Sequence, residues 1–243
     1  MTWSWLDLAF PWIGAVAAGA LLVLLFGTDL LRSEPTSSRW RDSVWLSWLA
    51  AVAYLLHNVE EYGRDLLGNW HSFPDALCTS LGLPVYPACP IPPAFYLAVN
   101  LSLFWIAAPL AALLSRRHQL VGFAIYSVAF TNTFAHIMPA LVSGRAYNPG
   151  LLTAVVVFLP LSVWVGYACF GKARLSYQAM AWLIFCGVIL HAILAVSVIM
   201  FVNAHISSTT LVRVQIVNAG LLFLFLALGE HWRGEVLAKP EGV

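Results

Sequence analysis

The sequence predicts an all-α polytopic membrane protein, a single domain folded as a seven-transmembrane-helix bundle. Three observations lead there. Hydrophobic residues make up 61% of the 243 and charged residues 9%, against about 45–50% and about 25% in a soluble domain. Seven stretches approach the roughly 20 apolar residues a span requires. Basic residues gather on one side of those stretches. With 12 Lys and Arg against 11 Asp and Glu, the charge offers nucleic acid no handle, and the bilayer is the expected partner.

Span 1, Phe10–Phe26, has no basic leader and is long enough to cross, so it reads as a span rather than a cleavable signal. Span 2, Ser43–Tyr62, ends on His57, Glu60 and Glu61. The loop from Gly63 to Pro93 follows, with six prolines and with Cys78 and Cys89 separated by ten residues. On the oxidising side of a membrane that pair closes a cap loop over residues 63–93 with a disulfide. Span 3, Ala94–Ser115, carries Asn100; span 4, Leu120–Val142, carries Asn132 and His136. Spans 5 to 7 are Leu151–Phe170, Gln178–Val202 with His191, and Thr210–Gly229 with Asn218 and, near its end, Arg213. Pro109, Pro139 and Pro160 fall inside spans, where each frees a carbonyl and bends its helix. The 11 Trp and 14 Phe fall often at span ends, as interfacial belts do.

The loops after spans 1, 3 and 5 and the C-terminal tail hold Arg32, Arg39, Arg41, Arg116, Arg117, Lys172, Arg174, Arg233 and Lys239. The other side holds Arg64, Arg145 and Arg213. Nine against three predicts the N-terminus outside and the C-terminus in the cytoplasm of a cell (inner) membrane.

Ionisable groups inside a span are expensive and mark function by default. On a helix, residues three and four apart share a face, so Tyr54, His57, Glu60 and Glu61 form one stripe and Asn132 and His136 another. At 1.5 Å per residue, His57 lies about 8 Å, His136 and Asn100 about 9 Å, Asn218 about 12 Å and His191 about 17 Å below the outer surface. Groups at one level suit a site between helices. His57, Glu61 and His136 make a plausible ligand set for a divalent ion, Zn²⁺ or Fe²⁺. Glu60 is then a second ligand or a general base, and Asn132 orients a ligand or binds substrate oxygen. Tyr54, Asn100, His191, Asn218 and Arg213 are expected to contact substrate or ligands. A plain intrahelical pair and interhelical polar glue account for the same residues without a site.

The expectation is a metal-dependent enzyme acting on a lipid or isoprenoid-like molecule in the outer leaflet. The alternatives are a metal-free acid–base isomerase or cyclase, and a transporter or ligand-binding protein. The sequence has no H-E-x-x-H, no glycine-rich phosphate loop, no G-x-S-x-G and no C-x-x-C. Its two lysines, Lys172 and Lys239, exclude a retinal Schiff base on span 7.

The string His57-Asn58-Val59-Glu60-Glu61 resembles the HXXEE family of integral membrane proteins. Asn132 to His136 is similar to that family's Asn-three-residues-His motif, and Tyr147-Asn148-Pro149-Gly150 to the turn after it. The resemblance covers roughly residues 45 to 160 and implies a site and a bacterial host, without naming a reaction. The family's further His, with Tyr four residues on, has no counterpart among the seven histidines. The pairing of His57 with Glu61 is also similar to membrane sterol isomerases, where His and Glu protonate an apolar substrate; this likeness supports the metal-free alternative.

Overall fold

In the computed structural model the described residues are 2–144, 146–172 and 174–232. Among them the chain is helical: α1 (Trp5–Gly27), α2 (Ser43–Asn58), α3 (Ser72–Ser80), α4 (Pro93–Asn100), α5 (Ala108–Leu114), α6 (Gln119–Gly122), α7 (Ala124–Ser143), α8 (Leu151–Thr153), α9 (Leu159–Cys169), α10 (Tyr177–Val202) and α11 (Ser208–Trp232). Three π-helical segments join these pieces: π1 (Val59–Gly63) extends α2, π2 (Leu101–Ala107) joins α4 to α5, and π3 (Ala154–Phe158) joins α8 to α9. Pro109 and Pro160 stand just after π2 and π3, where a missing N–H leaves the preceding carbonyls free to re-pair.

Six helices are long and apolar enough to cross a membrane: Trp5–Gly27, Pro93–Leu114, Ala124–Val142, Leu151–Cys169, Tyr177–Val202 and Ser208–Trp232. The chain is accordingly a multi-pass membrane protein. The stretch expected as span 2 differs from these. Its α-helical part stops after 16 residues, and the π turn that continues it holds two carboxylates. Nearly every residue of α2 is buried, because it runs through the middle of the bundle against α1, α5 and α7. Asp42 starts it, its carboxylate accepting from the N–H groups of Val44 and Trp45 at 2.9 and 3.1 Å, the N-cap arrangement. Lower down, the Tyr126 hydroxyl of α7 donates to the Leu46 carbonyl at 2.9 Å.

Close crossings set the remaining geometry. A Cβ on Gly187 would lie 2.2 Å from the Ser127 carbonyl oxygen, so α10 meets α7 backbone to backbone, as small residues permit in membranes. This brings His191, one turn further along α10, toward His136. The loop after π1 folds back as a cap: Cys78 and Cys89 form a disulfide, and with Tyr62, Phe95 and Tyr96 they belong to a second apolar core at this end of the bundle. The cap, which reads from sequence as a loop, contains the nine-residue α3; Pro74 sits in its first turn, where proline is tolerated. Arg145, Arg233 and Lys239, used in the charge count, lie outside the described residues.

Candidate metal centre

His57 and Glu61 lie on successive turns of α2 and π1, and His136 lies on the facing α7. All three are buried, with side-chain exposures of 0%, 7% and 6%. Both imidazoles aim Nε2 at one atom: His57 Nε2 and His136 Nε2 each lie 3.3 Å from Glu61 Oε1. The three potential ligand atoms fall within 4.8 Å of one another.

The hydrogen-bond network assigns both tautomers. The Thr153 hydroxyl donates to Glu60 Oε2 at 2.5 Å. Its oxygen, 2.7 Å from His57 Nδ1, is left only to accept, so Nδ1 carries the proton. Asn148 donates through Nδ2 to the His136 carbonyl at 2.9 Å. Its Oδ1 therefore faces His136 Nδ1 at 2.8 Å as an acceptor, and His136 too is protonated at Nδ1. In the neutral ring each Nε2 then presents a lone pair to a carboxylate oxygen. His57 Nε2 is buried and has no hydrogen-bond partner. Three electron-pair donors facing inward repel one another unless a cation, a proton or a metal ion, lies between them.

The backbone of the turn between α7 and α8 closes the third side. Gly150 has φ +95°, and a Cβ there would lie 2.5 Å from His136 Cε1 and 2.8 Å from His57 Cε1. Only glycine lets the chain pass this close at such a dihedral. Phe158 of π3 covers the other face of His57, with ring centroids 4.5 Å apart. All three π segments thus border one place, in keeping with their frequent occurrence at functional sites.

Glu60, expected from sequence as a general base or extra ligand, caps a helix start in the structure. Its Oε1 accepts from Leu152 N at 2.9 Å and the Tyr147 hydroxyl at 2.8 Å. Its Oε2 accepts from Thr153 N at 2.7 Å and from the Thr153 hydroxyl. Burial, with the Glu60 carboxylate behind it, pushes the Tyr147 phenol above its usual range, which keeps that group a donor. A carboxylate at the exposed N–H groups of a helix start is electrostatically favoured. Glu60 supplies this from another helix, and both its oxygens are filled.

A cavity of about 300 Å³ adjoins the cluster. Glu61, His136, Tyr54, Asn100, Asn132 and His191 line it together with Tyr62, Ser80 and Asn148, and most of the remaining wall is apolar surface from α3, α4, π2, α7 and α10. The Tyr54 hydroxyl, beside the Asn132 side chain, and Asn132 Oδ1 are buried without a completed hydrogen bond. His191 Nδ1 bonds to the Gly187 carbonyl at 2.8 Å, which turns Nε2 into an available acceptor. Asn100 donates to the Tyr96 carbonyl at 2.8 Å.

Two expected residues are not brought to the site. Asn218 donates to the Leu190 carbonyl at 2.9 Å, tying α11 to α10, and Arg213 is exposed on α11. Asn218 shares the depth of the others, but depth leaves the direction around the helix axis open. From sequence Asn148 and Gly150 read only as part of the turn after the Asn132–His136 motif, and Thr153 carries no expected role. Their signal was the Asn-Pro-Gly turn followed by a threonine at the start of an otherwise apolar helix.

The fold and this cluster define a multi-pass membrane helical bundle with a buried group of two histidines and one carboxylate beside an apolar cavity. Residues 48–165 of the chain match the family described as protein of unknown function with HXXEE motif, and they include every residue of the cluster. No curated protein and no solved structure matches the chain.

Proposed function

We propose that the protein holds a divalent metal ion through His57 Nε2, His136 Nε2 and Glu61, and acts as a metal-dependent membrane enzyme on a lipid-like molecule in the adjoining cavity. One observation carries this reading: both imidazoles have their Nδ1–H committed elsewhere and direct Nε2 at the same carboxylate oxygen, 3.3 Å from each. Histidine ligands held by a hydrogen bond from the other ring nitrogen are the usual arrangement at protein metal sites. Two nitrogens and one carboxylate suit Zn²⁺ or Fe²⁺, and three protein ligands leave a position for chemistry. A divalent ion held there would supply Lewis acidity toward an oxygen of the substrate or of water.

The other residues have distinct tasks in this proposal. Tyr54 and Asn132 hydrogen-bond the substrate's polar group, and His191 Nε2 takes or returns a proton. Asn100 shapes the wall. Glu60 does no chemistry and holds α8 against π1. We place seven spans in the membrane, counting α2 with π1, with the N-terminus and the disulfide-closed cap outside. The basic residues gathered on the opposite side and the oxidised Cys78–Cys89 pair both favour that orientation, which sets the site in the outer leaflet of a cell membrane.

Protein purified with zinc or iron supplied should contain close to one ion per chain by elemental analysis. His57→Ala and His136→Ala should each fall below a tenth of that. Wild-type protein without stoichiometric metal rejects the proposal. Asn148→Ala and Thr153→Val should keep the fold and weaken the ion about 10- to 100-fold, the usual effect of removing a ligand's orienting partner. This is measured by competition with a chromogenic chelator.

The 3.3 Å separations also fit an ion pair in which protons take the cation's place. That reading makes the protein an acid–base isomerase or cyclase. It predicts no bound ion and a thermal midpoint that chelators leave unchanged.

A further inference from the structure

We propose that the cavity takes a lipid whose reacting group is an uncharged oxygen function, such as an alcohol, ester or amide, and rejects phosphate- and diphosphate-bearing lipids. The inference rests on the site reading above, but not on the identity of the ion.

Charge carries the first part of the argument. Among the described residues lining the cavity there is no lysine and no arginine. Its polar groups are hydroxyl, amide, imidazole and the single carboxylate of Glu61. Phosphoryl groups are held almost everywhere by guanidinium, ammonium or runs of backbone N–H. Here the helix start nearest the site, at Leu152 and Thr153, is already taken by Glu60. A divalent ion with Glu61 leaves a net charge of +1. A phosphate monoester or diphosphate carries more than one negative charge, and burying the excess without a partner is costly. The Tyr54 hydroxyl and Asn132 Oδ1, without completed hydrogen bonds, suit a neutral oxygen with a proton to give or a lone pair to offer.

Shape carries the second part. About 300 Å³ is at the small end of ligand pockets. It admits a head group and the first part of one chain, and not the two chains of a glycerophospholipid. Ala135 and Pro139 of α7 and Ser80 of α3 line the cavity and are also exposed on the outside of the bundle. The cavity therefore opens on a flank of α7, whose outward residues Phe134, Met138, Leu141 and Val142 are exposed and apolar. A chain lying in the bilayer reaches the site from the side.

The test uses full-length protein in nanodiscs, with metal content measured on the same sample. Three single-chain probes of equal length are titrated by native mass spectrometry: a primary alcohol, a monoacylglycerol and an alkyl phosphate. The alcohol and the monoacylglycerol should bind at least tenfold tighter than the alkyl phosphate. Ala135→Phe, at an exposed position on the mouth, should weaken the alcohol at least tenfold and leave metal content unchanged. An alkyl phosphate that binds as tightly as the alcohol overturns the inference, and so does binding indifferent to Ala135→Phe. If the alcohol binds selectively to protein without metal, the cavity assignment stands and the metal proposal fails.

Discussion

Gly150→Ala is expected to cut metal content below a tenth of the wild-type value and to lower the thermal midpoint by several degrees. Two effects coincide at this position. A non-glycine residue at φ +95° is strained by about 1–3 kcal/mol. The added Cβ also meets His136 Cε1 at 2.5 Å, His136 Nε2 at 2.8 Å and His57 Cε1 at 2.8 Å. Those rings have little room to retreat: Phe158 and Tyr54 flank His57, and Phe73 stands against His136. Displacing either ring also strips its Nδ1 bond to Thr153 or Asn148. Gly82→Ala separates the two effects. Gly82 has φ +71° and nothing within 4 Å of the added Cβ, so its alanine variant should lose stability and keep the ion. Full metal content in Gly150→Ala would show that the imidazoles do not bind it from their positions beside Gly150.

The sequence made the bundle legible because a bilayer imposes one coarse rule, about 20 apolar residues per crossing. Six helices obey it, close to the expected boundaries. The stretch expected as span 2 falls short of the rule because α2 ends after 16 residues and passes into the π turn with its two carboxylates. It contacts protein on all sides, and its apolar residues serve packing as much as spanning. The pairing of His57 and Glu61 followed from helical periodicity, and that of His136 with them from agreement in depth. Periodicity could not separate Glu60 from Glu61. Both lie on the same turn, and their difference is set by Tyr147, Leu152 and Thr153, some 90 residues away in sequence. The same limit applied to Asn218, which shares the level of the site and turns toward Leu190. The π segments were half legible. Pro109 and Pro160 announced freed carbonyls, but sequence did not tell whether the helix would bend or widen.

The two adjacent glutamates should respond in opposite ways to the same isosteric change. Glu61→Gln keeps the shape and one oxygen but loses the ligand charge. It should lose the ion, and its stability in excess chelator should match that of metal-free wild type, since no buried donor depends on Glu61 apart from the imidazoles themselves. Comparing both without metal matters, because a bound ion stabilises the native state by mass action. Glu60→Gln replaces one acceptor oxygen with an NH₂ group. Whichever way the amide turns, two of four donors face it: Leu152 N with the Tyr147 hydroxyl, or Thr153 N with the Thr153 hydroxyl. The hydroxyl in each pair can turn and accept from the new NH₂ group, so the backbone N–H is the group left unpaired, a loss of about 1–3 kcal/mol. Glu60→Gln should therefore melt well below metal-free wild type even in chelator, with α8 and the Tyr147 turn the first segments to exchange amide hydrogens. Metal should weaken only as a consequence, through the loosened Thr153–His57 contact. The division of labour falls if Glu61→Gln proves the less stable of the two in chelator. It falls equally if Glu60→Gln melts like wild type while losing the ion, because Glu60 would then be a ligand rather than the clamp that holds the ligands in place.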